Sequence, residues 1–259
     1  MLLAVDVGNT QTALGLMEGE RIVEDWRIAT VRHRTADEIA GLLGGFFALQ
    51  DWRPQDVVDE VGIASVVPRL TTQWQLMCEK HLKITPFVIG PGTRTGMRIL
   101  MKNPTEVGAD RIANAVAAYE QFGGPCIVVD FGTATTFDVV SPEGDYLGGA
   151  IAPGIEVSME ALTSRAAKLI KVDLVEPQAV IGKSTVEGLQ SGAVYGFAGQ
   201  VEGIVEAIKR ELGRPAKVVA TGGLADLIAR HTPVVDAVDL FLTLRGIELI
   251  MRRQDHRRA

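Results

Sequence analysis

The apolar positions of this chain form two series of short runs, each followed by helical patterns. The first series begins with LLAVDVG and continues with TALGLMEG and GERIVEDWRIAT. Apolar runs bounded by glycine are typical of strands, and the turn at 18–20 joins the second run to the third. These patterns predict three consecutive strands at the start of the chain.

A helical period follows these strands. The segment TADEIAGLLGGFFALQ predicts a helix with Thr35 as its N-cap residue. Next, EVGIASVV predicts a buried strand that is ended by Pro68. LTTQWQLMCEKHL predicts a second helix, and TPFVIG predicts a short strand.

The second half of the chain restarts the same succession. CIVVDFG, TATTFDVVSPEG and DYLGGAIAPG predict three strands, with a turn at 142–144, and AKVVATGG predicts a later strand that ends in two glycines. Asp130 follows Asp6 by 124 residues. A period of this length indicates duplicated domains rather than a solenoid of short repeats. We predict an N-terminal domain over 1–124 and a C-terminal domain over 125–259.

Composition and charge restrict the functions to consider. Of 259 residues, 47% are hydrophobic and 22% are charged, which is typical of a globular protein with a sizeable core. The net charge of −6 gives a nucleic-acid partner no electrostatic footprint, and the basic tail MRRQDHRRA is interpreted as a solvated end. No apolar stretch approaches membrane-spanning length, and Cys78 and Cys126 lack the spacing of a metal site. We therefore expect a cytoplasmic protein with no membrane or nucleic-acid partner.

The clearest chemical signal is a turn that occurs twice, as VDVGNTQT and as VVDFGTAT. Gly8 and Gly132 allow the backbone to approach a ligand closely, and Asp6 and Asp130 are carboxylates suited to a cation or to a water bound to one. The alternative is two hairpins with ordinary Asp-Gly turn chemistry and no ligand. A single copy would favour that alternative, but two copies at the heads of two similar units favour a pair of phosphate-binding turns.

The segment IGKST at 181–185 ends like a P-loop, but Pro177 occupies the position of the first glycine and no buried strand leads into it. Ser184 and Glu187 instead match a capping box at the start of the helix TVEGLQSGAVYGFAGQVEGIVEAIKREL. Gly188, Gly192 and Gly196 are spaced four residues apart and share a face of that helix. This face predicts close packing, either within the chain or at a dimer interface.

A carboxylate suited to catalysis lies in NPTEVGADRIANAV, before the second turn. Asn103, Pro104 and Glu106 have N-cap, N1 and N3 character and predict the start of a helix. An isolated Asp-Arg pair on a helix usually belongs to a solvated face. Here the preceding glycine and alanine leave a small-sided surface, so Asp110 can point into a cleft. A kinase of an alcohol needs such a carboxylate near the substrate hydroxyl.

These motifs resemble those of the actin-like and sugar-kinase ATPase superfamily. The resemblance implies an α/β fold of two ribonuclease H-like domains, each a mixed sheet plus helices, which face each other across a nucleotide cleft. Each domain would supply one phosphate-binding hairpin. VVATGGLADLI, with Gly222 and Gly223, matches the adenosine turn of that superfamily in position and type.

The motifs DVGNT, NPTEVGADR, DFGTATT, GGAIAPGI and STVEGLQSG together resemble the type III pantothenate kinase family, from Asp6 to about Gly223. The resemblance implies ATP-dependent phosphorylation of the 4′-hydroxyl of pantothenate, the first step of coenzyme A biosynthesis. It also implies a homodimer that uses Mg²⁺ and a monovalent cation, either K⁺ or NH₄⁺.

The same resemblance implies roles for individual residues. Asp110 would be the general base, Asp130 would ligate the monovalent cation, and Thr133 would contact ATP phosphates. The first phosphate loop, which would bind ATP, comprises Asp6, Val7, Gly8, Asn9, Thr10, Gln11, Thr12 and Ala13. The residues that would contact pantothenate are Gly108, Ala109, Asp110, Arg111 and Thr185.

One position departs from the family pattern, since Met101 stands where many relatives carry a tyrosine shortly before the Asn-Pro pair. The wall of the pantothenate pocket therefore differs here, and no role is predicted for Met101. Two other functions stay open at this point. One is a kinase of another small alcohol, such as a sugar. The other is a catalytically inactive nucleotide-binding regulatory or accessory protein of the same fold, although Asp6, Asp110 and Asp130 are all present.

Overall fold

The computed structural model of this chain describes residues 1–166 and 169–255, and it divides into two compact units. The first unit contains Met1–Arg98, Lys102–Ala117 and the chain from Leu242 onward. The second unit contains Ile99–Met101 and Ala118–Phe241. Each unit is built on its own five-stranded sheet.

The elements are numbered in chain order. The strands are β1 Leu2–Val7, β2 Gln11–Glu18, β3 Arg21–Ala29, β4 Glu60–Ser65, β5 Phe87–Ile89, β6 Cys126–Phe131, β7 Ala134–Val140, β8 Tyr146–Pro153, β9 Lys217–Gly222 and β10 Ala237–Val238. The helices are α1 Ala36–Ala48, α2 Pro54–Val57, α3 Pro68–Met77, α4 Ala109–Phe122, α5 Ile155–Arg165, α6 Thr185–Leu212, α7 Ala225–Ala229 and α8 Leu242–Asp255. A π-helical turn, Cys78–Leu82, extends α3, and a 3₁₀ turn, Pro104–Glu106, precedes α4.

Both sheets have the same strand order and the same strand directions. The first sheet runs β3-β2-β1-β4-β5 and the second runs β8-β7-β6-β9-β10. In each, the three strands that come first in the chain pair antiparallel, while the remaining two are parallel to the first strand of the unit. The predicted α/β fold of two mixed sheets is confirmed, and so is the duplication on which it was based.

The duplication extends to an irregularity in the sheets. The antiparallel register shifts after Leu16 in β2 and after Val139 in β7. Leu16 lies three residues after Ala13, which pairs with Asp6. Val139 likewise lies three residues after Thr136, which pairs with Asp130. A β-bulge adds one unpaired residue and bends its strand, so both sheets bend at the same place.

Each unit has its own hydrophobic core on one face of its sheet. In the first, Val5 of β1 is fully buried in a cluster with Phe47 of α1 and Trp74 of α3. In the second, Val129 of β6 is buried in a cluster with Val201 of α6. Burying a side chain of this kind stabilises a fold by about 1.5–3 kcal/mol. This gain is the physical reason for the apolar residues of β1 and β6.

The last helix packs on the other face of the first sheet. Gly62 in β4 lies so close to Ile247 and Met251 of α8 that a side chain at this position would collide with them. The compact units therefore do not follow the sequence-based division at every point: α8 belongs with the first unit although it is the last helix, and Ile99–Met101 and residues 118–124 belong with the second. As independently folding domains, 1–124 and 125–259 stay a prediction.

The interpretation of the basic tail as a solvated end is wrong for its first arginines. Arg252 binds the carboxylate of Glu248 one turn earlier, and Nη1 of Arg253 donates a hydrogen bond to the carbonyl oxygen of Thr95 at 2.6 Å. Both arginines are therefore part of α8. The rest of the predicted tail, at 256–259, lies outside the described residues.

The helix predicted to start at Pro104 begins later. The Asn103 side chain does cap the segment by accepting the N–H of Thr105, but only a 3₁₀ turn follows. Val107 then adopts an extended backbone with its side chain buried, which interrupts the helical path. The α-helix starts at Ala109, so Asp110 lies in a first helical turn instead of a second.

Two other predicted helix starts are found where expected. Thr35 forms a complete capping box with Glu38 at α1. At α6, the Ser184 hydroxyl accepts the N–H of Glu187 at 3.2 Å, whereas the Glu187 carboxylate accepts the N–H of Lys183 in place of that of Ser184. Of the helices that the structure describes, none is both long and apolar enough to cross a membrane.

Candidate active site

The first hairpin joins β1 to β2 through a tight turn. Val7 pairs with Thr12, so residues 8–11 form the loop. The N–H of Gly8 donates to the carbonyl oxygen of Gln11 at 3.0 Å, and a Cβ at Gly8 would lie 2.9 Å from that oxygen. This close approach is the physical reason for glycine here. Asn9 and Thr10 are exposed at the tip of the hairpin.

The base of this hairpin is fixed by the end of β3. The hydroxyls of Thr12 and Thr30 are hydrogen-bonded at 2.9 Å, and the N–H of Thr30 donates to the carbonyl oxygen of Thr10 at 2.9 Å. Thr12 is buried, so its hydroxyl serves the hairpin itself. The predicted loop Asp6–Ala13 therefore contains two kinds of residue: exposed tip residues that can contact phosphate, and base residues that position them.

Asp110 lies close to the edge of the first sheet from which this hairpin projects. Its Oδ1 accepts the N–H of Arg111 at 2.8 Å and lies directly over Gly108, where any side chain would collide with it. A Cβ at Gly108 would also be 3.3 Å from Cγ1 of Val66, whose N–H donates to the carbonyl oxygen of Val7 at 3.1 Å. The Gly108–Arg111 segment and the first hairpin are thus brought together at the carboxyl ends of β1 and β4.

The start of α4 suits a carboxylate at this position. Asp110 is in the first turn of a helix of 14 residues, where the positive end of the helix dipole interacts favourably with an anion. Ala109 is buried beside it, and Gly108 leaves the space that the carboxylate occupies. The small residues that the sequence placed before Asp110 are therefore needed for the orientation of its side chain.

The second hairpin joins β6 to β7 with a shorter turn. Phe131 pairs with Thr135, and the N–H of Gly132 donates to the carbonyl oxygen of Ala134 at 3.1 Å. The N–H of Gly154 donates to the carbonyl oxygen of Thr133 at 3.2 Å. Gly154 is the N-cap residue of α5, so this hydrogen bond joins the turn of the hairpin to the N-terminus of that helix.

Asp130 lies in a cradle that glycine leaves open. Gly222 has φ +91°, and a Cβ on it would lie 2.6 Å from Oδ1 of Asp130 and 2.6 Å from the carbonyl oxygen of Phe131. A Cβ at Gly132 would lie 3.7 Å from the same Oδ1. Carboxylate and carbonyl oxygens of this kind match the ligands that a hard cation takes. The residues present therefore fit the cation that the resemblance implies.

The predicted adenosine turn begins at the same glycine. β9 ends at Gly222, whose left-handed backbone favours glycine, and Gly223 follows it in an exposed position. Thr185, the remaining residue predicted to contact substrate, is the first residue of α6 and is exposed. A helix N-terminus presents unpaired N–H groups to polar and anionic ligands, which is compatible with that expectation.

Sequence reasoning missed a buried polar network on β7 and β8. The Tyr146 hydroxyl donates to Oδ1 of Asp138 at 2.5 Å, and the Thr136 hydroxyl donates to Oδ2 of Asp138 at 3.2 Å. Asp138 and Tyr146 are both completely buried. The available signal was the alternation Thr-x-Asp at 136–138, which places two polar groups on the same face of the strand.

Among residues 1–166 and 169–255, no group of three or more His, Cys, Asp or Glu side chains is arranged to hold a metal ion. Mg²⁺ in phosphoryl-transfer sites is typically held by one or two carboxylates together with substrate phosphates and waters. Single aspartates at the ends of β1 and β6 agree with that mode of binding.

This chain is similar in sequence to one protein family and similar in fold to several solved structures. The sequence profile of type III pantothenate kinases matches residues 2–207. A type III pantothenate kinase of Myxococcus xanthus is 51% identical over 253 residues, covering 98% of each chain, and one of Streptomyces griseus is 51% identical over 260 residues, again covering 98% of each. The solved polyphosphate/ATP-glucomannokinase of Arthrobacter sp. strain KM has the same fold, with a TM-score of 0.52, 14% identity and 98% of each chain covered.

Proposed function

The chain belongs to the type III pantothenate kinase family, and we propose that it transfers the terminal phosphoryl group of ATP to the 4′-hydroxyl of pantothenate. The observation that carries this proposal for the chain itself is the position of Asp110. Its carboxylate lies over Gly108, next to Val66 and hence to the end of β1, where the first hairpin begins. The family indicates pantothenate as the substrate, and the position of Asp110 beside a phosphate-binding turn suits a general base.

Asp110 is the general base of the proposed reaction. It accepts the proton of the pantothenate hydroxyl as the bond to phosphorus forms, and it need not remove that proton beforehand because phosphoryl transfer has a loose transition state. Gly108, Ala109 and Arg111 form the pantothenate-binding segment with it. Thr185, at the N-terminus of α6, also contacts pantothenate.

The first hairpin binds the phosphates of ATP. The exposed side chains of Asn9, Thr10 and Gln11 and the backbone N–H groups of the turn are the donors that phosphate oxygens need. Asp6, at the end of β1, is the carboxylate suited to Mg²⁺. Mg²⁺ supplies charge neutralisation to the phosphate oxygens when it is bound.

The second hairpin binds phosphate and the monovalent cation. Thr133 is exposed at its tip, where its hydroxyl contacts ATP phosphates. Asp130 ligates K⁺ or NH₄⁺ in the cradle that Gly132 and Gly222 leave open. A monovalent ion at this place adds positive charge close to the phosphates and strengthens their binding.

The proposal includes a homodimer formed through the second unit. Large apolar side chains are exposed on β8, on α5 and on the segment before α6: Leu147, Ile151, Val157, Leu162, Ile170, Val175, Val180 and Ile181. Beside them, a Cβ at any of five α6 glycines would meet nothing within 4 Å: Gly188, Gly192, Gly196, Gly199 and Gly203. This open face favours an interface with a second copy over packing within the chain.

Sedimentation velocity tests the dimer. We expect Gly192→Leu to shift the chain towards the monomer, because leucine removes the close approach that glycine allows. Gly41→Leu is the matched control, since its Cβ also meets nothing within 4 Å but lies on α1 of the first unit. A Gly192→Leu variant that sediments as the wild type does, with both as dimers, contradicts this interface.

We also place the reaction in the cytoplasm, where ATP is available. The net charge of −6 provides no electrostatic attraction to nucleic acid, so the proposed partners are limited to ATP, pantothenate, the ions and a second copy of the chain.

An ADP-release assay tests the proposed reaction. The purified chain receives ATP, Mg²⁺ and pantothenate, with either KCl or choline chloride at equal ionic strength. We expect ADP release that requires pantothenate and is faster with K⁺. Glucose in place of pantothenate represents the sugar-kinase alternative, and ATP alone represents the inactive regulatory protein. Equal release with glucose, or none that depends on pantothenate, contradicts the proposal.

A further inference from the structure

The neighbours of Asp130 in its sheet are hydroxyl groups. Asp130 pairs with Thr136 across β6 and β7 and with Thr221 across β6 and β9. Residues opposite each other in an antiparallel pair have their side chains on the same face, with Cβ atoms about 4.5–5.5 Å apart. The Thr136 hydroxyl therefore lies on the face of the sheet that carries the Asp130 carboxylate.

The orientation of the Thr136 hydroxyl is fixed by a buried carboxylate. Its proton is donated to Oδ2 of Asp138 at 3.2 Å. Asp138 is held in turn by the Tyr146 hydroxyl, which donates a hydrogen bond to its Oδ1 at 2.5 Å. A threonine hydroxyl has one proton and two lone pairs, so once the proton points to Asp138 only lone pairs remain for other neighbours.

Two groups on this face therefore have oxygen lone pairs near one position: the Asp130 carboxyl group and the Thr136 hydroxyl. A cation between them stabilises this arrangement, and hydroxyl and carboxylate oxygens are suitable ligands for it. Gly222 and Gly132 both adjoin Asp130 without a side chain, since a Cβ on them would lie 2.6 Å and 3.7 Å from its Oδ1. Asp130 and Thr136 thus have the oxygen atoms of a cation-binding site, and Asp138 is the group that orients the Thr136 hydroxyl.

The first unit shows that the fold itself does not need this network. Asp138 lies two residues after Thr136, which pairs with Asp130. In the first unit Ala13 pairs with Asp6, so the corresponding residue of β2 is Gly15. A Cβ at Gly15 would lie 2.8 Å from Cδ1 of Leu244 in α8, so the same place is packed with apolar atoms. A buried carboxylate is costly to keep, which indicates a role particular to the second unit.

We propose that Thr136 is a further ligand of the monovalent cation and that Asp138, held by Tyr146, is a positioning residue that keeps the Thr136 lone pairs turned towards the ion. This inference rests on the proposed function, which assigns the monovalent cation to Asp130. It adds to that function one ligand and the second layer that orients it.

The test compares two isosteric substitutions on adjacent residues of β7. Thr136→Val removes the proposed ligand oxygen, and Thr136→Ser retains it. Thr135→Val is the matched control, because Thr135 is the neighbouring residue of the same strand but points to the opposite face, and its buried hydroxyl has no hydrogen-bond partner among the described residues. Two quantities are measured: the KCl concentration that half-activates ADP release, and the rise in melting temperature when KCl replaces choline chloride without substrates.

We expect Thr136→Val to raise the half-activating KCl concentration about tenfold or more and to abolish the K⁺-dependent rise in melting temperature. Thr136→Ser should restore both, and Thr135→Val should leave both as in the wild type. Asp138→Asn should raise the half-activating concentration while reducing the rate at saturating KCl much less. If that variant does not fold, the comparison of Thr136→Val with Thr136→Ser decides alone.

An unchanged KCl response in Thr136→Val overturns the inference and leaves the proposed kinase reaction intact. A wild type that responds to K⁺ in neither measurement also overturns it, since no monovalent ion then needs a ligand. Pantothenate-dependent ADP release in that same wild type would still support the kinase, so the two failures are distinguishable.

Discussion

The two hairpins have one backbone plan and different chemical surroundings. Each follows a strand that ends in aspartate, and each belongs to a sheet with the same strand order and the same bulge. The neighbours of the aspartates differ. Asp6 pairs with two alanines, at 13 and 64, whereas Asp130 pairs with two threonines, at 136 and 221. The residues paired with the first aspartate carry only methyl groups, and those paired with the second carry hydroxyl groups.

The next position along the parallel neighbour strand also differs. Ser65 follows Ala64 in β4, while Gly222 follows Thr221 in β9 with φ +91°. Ser65 forms a turn just before α3, in which its hydroxyl accepts the N–H of Val67 at 3.2 Å. Glycine at 222 instead leaves space beside Asp130. One duplicated backbone thus serves two purposes, and the side chains next to each aspartate determine which.

The comparison also shows where the proposed chemistry is concentrated. The first hairpin has the proposed general base, Asp110, beside it in its own unit. We therefore expect Asp110→Asn to have the largest effect, lowering kcat by about 10²-fold or more, the usual contribution of a general base. The measurement is pantothenate-dependent ADP release at saturating substrates.

Glu106→Gln is the control for Asp110→Asn, because it removes a carboxylate four residues away that is exposed and hydrogen-bonded to Asn103. This variant should retain the wild-type rate. A nearly normal rate in Asp110→Asn, with both substrates bound, would mean that the carboxylate is not the base.

The glycine cradle of the second hairpin gives a prediction of intermediate size. Gly222→Ala places a Cβ 2.6 Å from both Oδ1 of Asp130 and the Phe131 carbonyl oxygen and requires a left-handed alanine. We expect a loss of about 1–3 kcal/mol in the free energy of unfolding, measured by urea denaturation. Gly223→Ala, whose Cβ meets nothing within 4 Å, should change that free energy by less than about 0.5 kcal/mol. Equal effects of the two substitutions would show that the cradle is not as constrained as described.

The base of the first hairpin gives the smallest effect. Thr12→Val removes the hydrogen bond to the Thr30 hydroxyl and leaves that hydroxyl without its partner, at a cost of about 1 kcal/mol in the free energy of unfolding. Thr12→Ser keeps the hydroxyl and should recover most of this loss. Were Thr12→Val instead as stable as the wild type, with a weaker affinity for ATP, Thr12 would be a phosphate ligand and not a support of the hairpin.

Local patterns in the sequence were sufficient for most elements of the fold. Apolar runs bounded by glycine or proline identified the strands of both sheets except β10, and the cap residues Thr35 and Ser184 marked the starts of α1 and α6. The features that local patterns missed depend on distant contacts. Val107 is buried in the folded unit, which breaks the helix predicted from Pro104, and α8 packs on a sheet whose strands lie far earlier in the chain.

The candidate site was predictable to a similar extent. The repeated Asp-Gly turns and the small residues before Asp110 were visible in the sequence and led to the family. The network around Asp138 was not found, because a Thr-x-Asp alternation has meaning only once the face of its strand is known to be buried. The pairing of Asp130 with threonines likewise depends on β9, which lies about 90 residues later and is brought alongside β6 only in the folded sheet.

The central claim is that the two hairpins carry different ions, and a KCl titration of ADP release tests it most directly. The titration compares the wild type with Asp6→Asn and Asp130→Asn at saturating ATP, Mg²⁺ and pantothenate. We predict that Asp6→Asn lowers the rate at every KCl concentration without changing the half-activating concentration, whereas Asp130→Asn raises that concentration about tenfold or more. Indistinguishable KCl curves for the two variants, or a shifted half-activation in Asp6→Asn alone, would contradict the account.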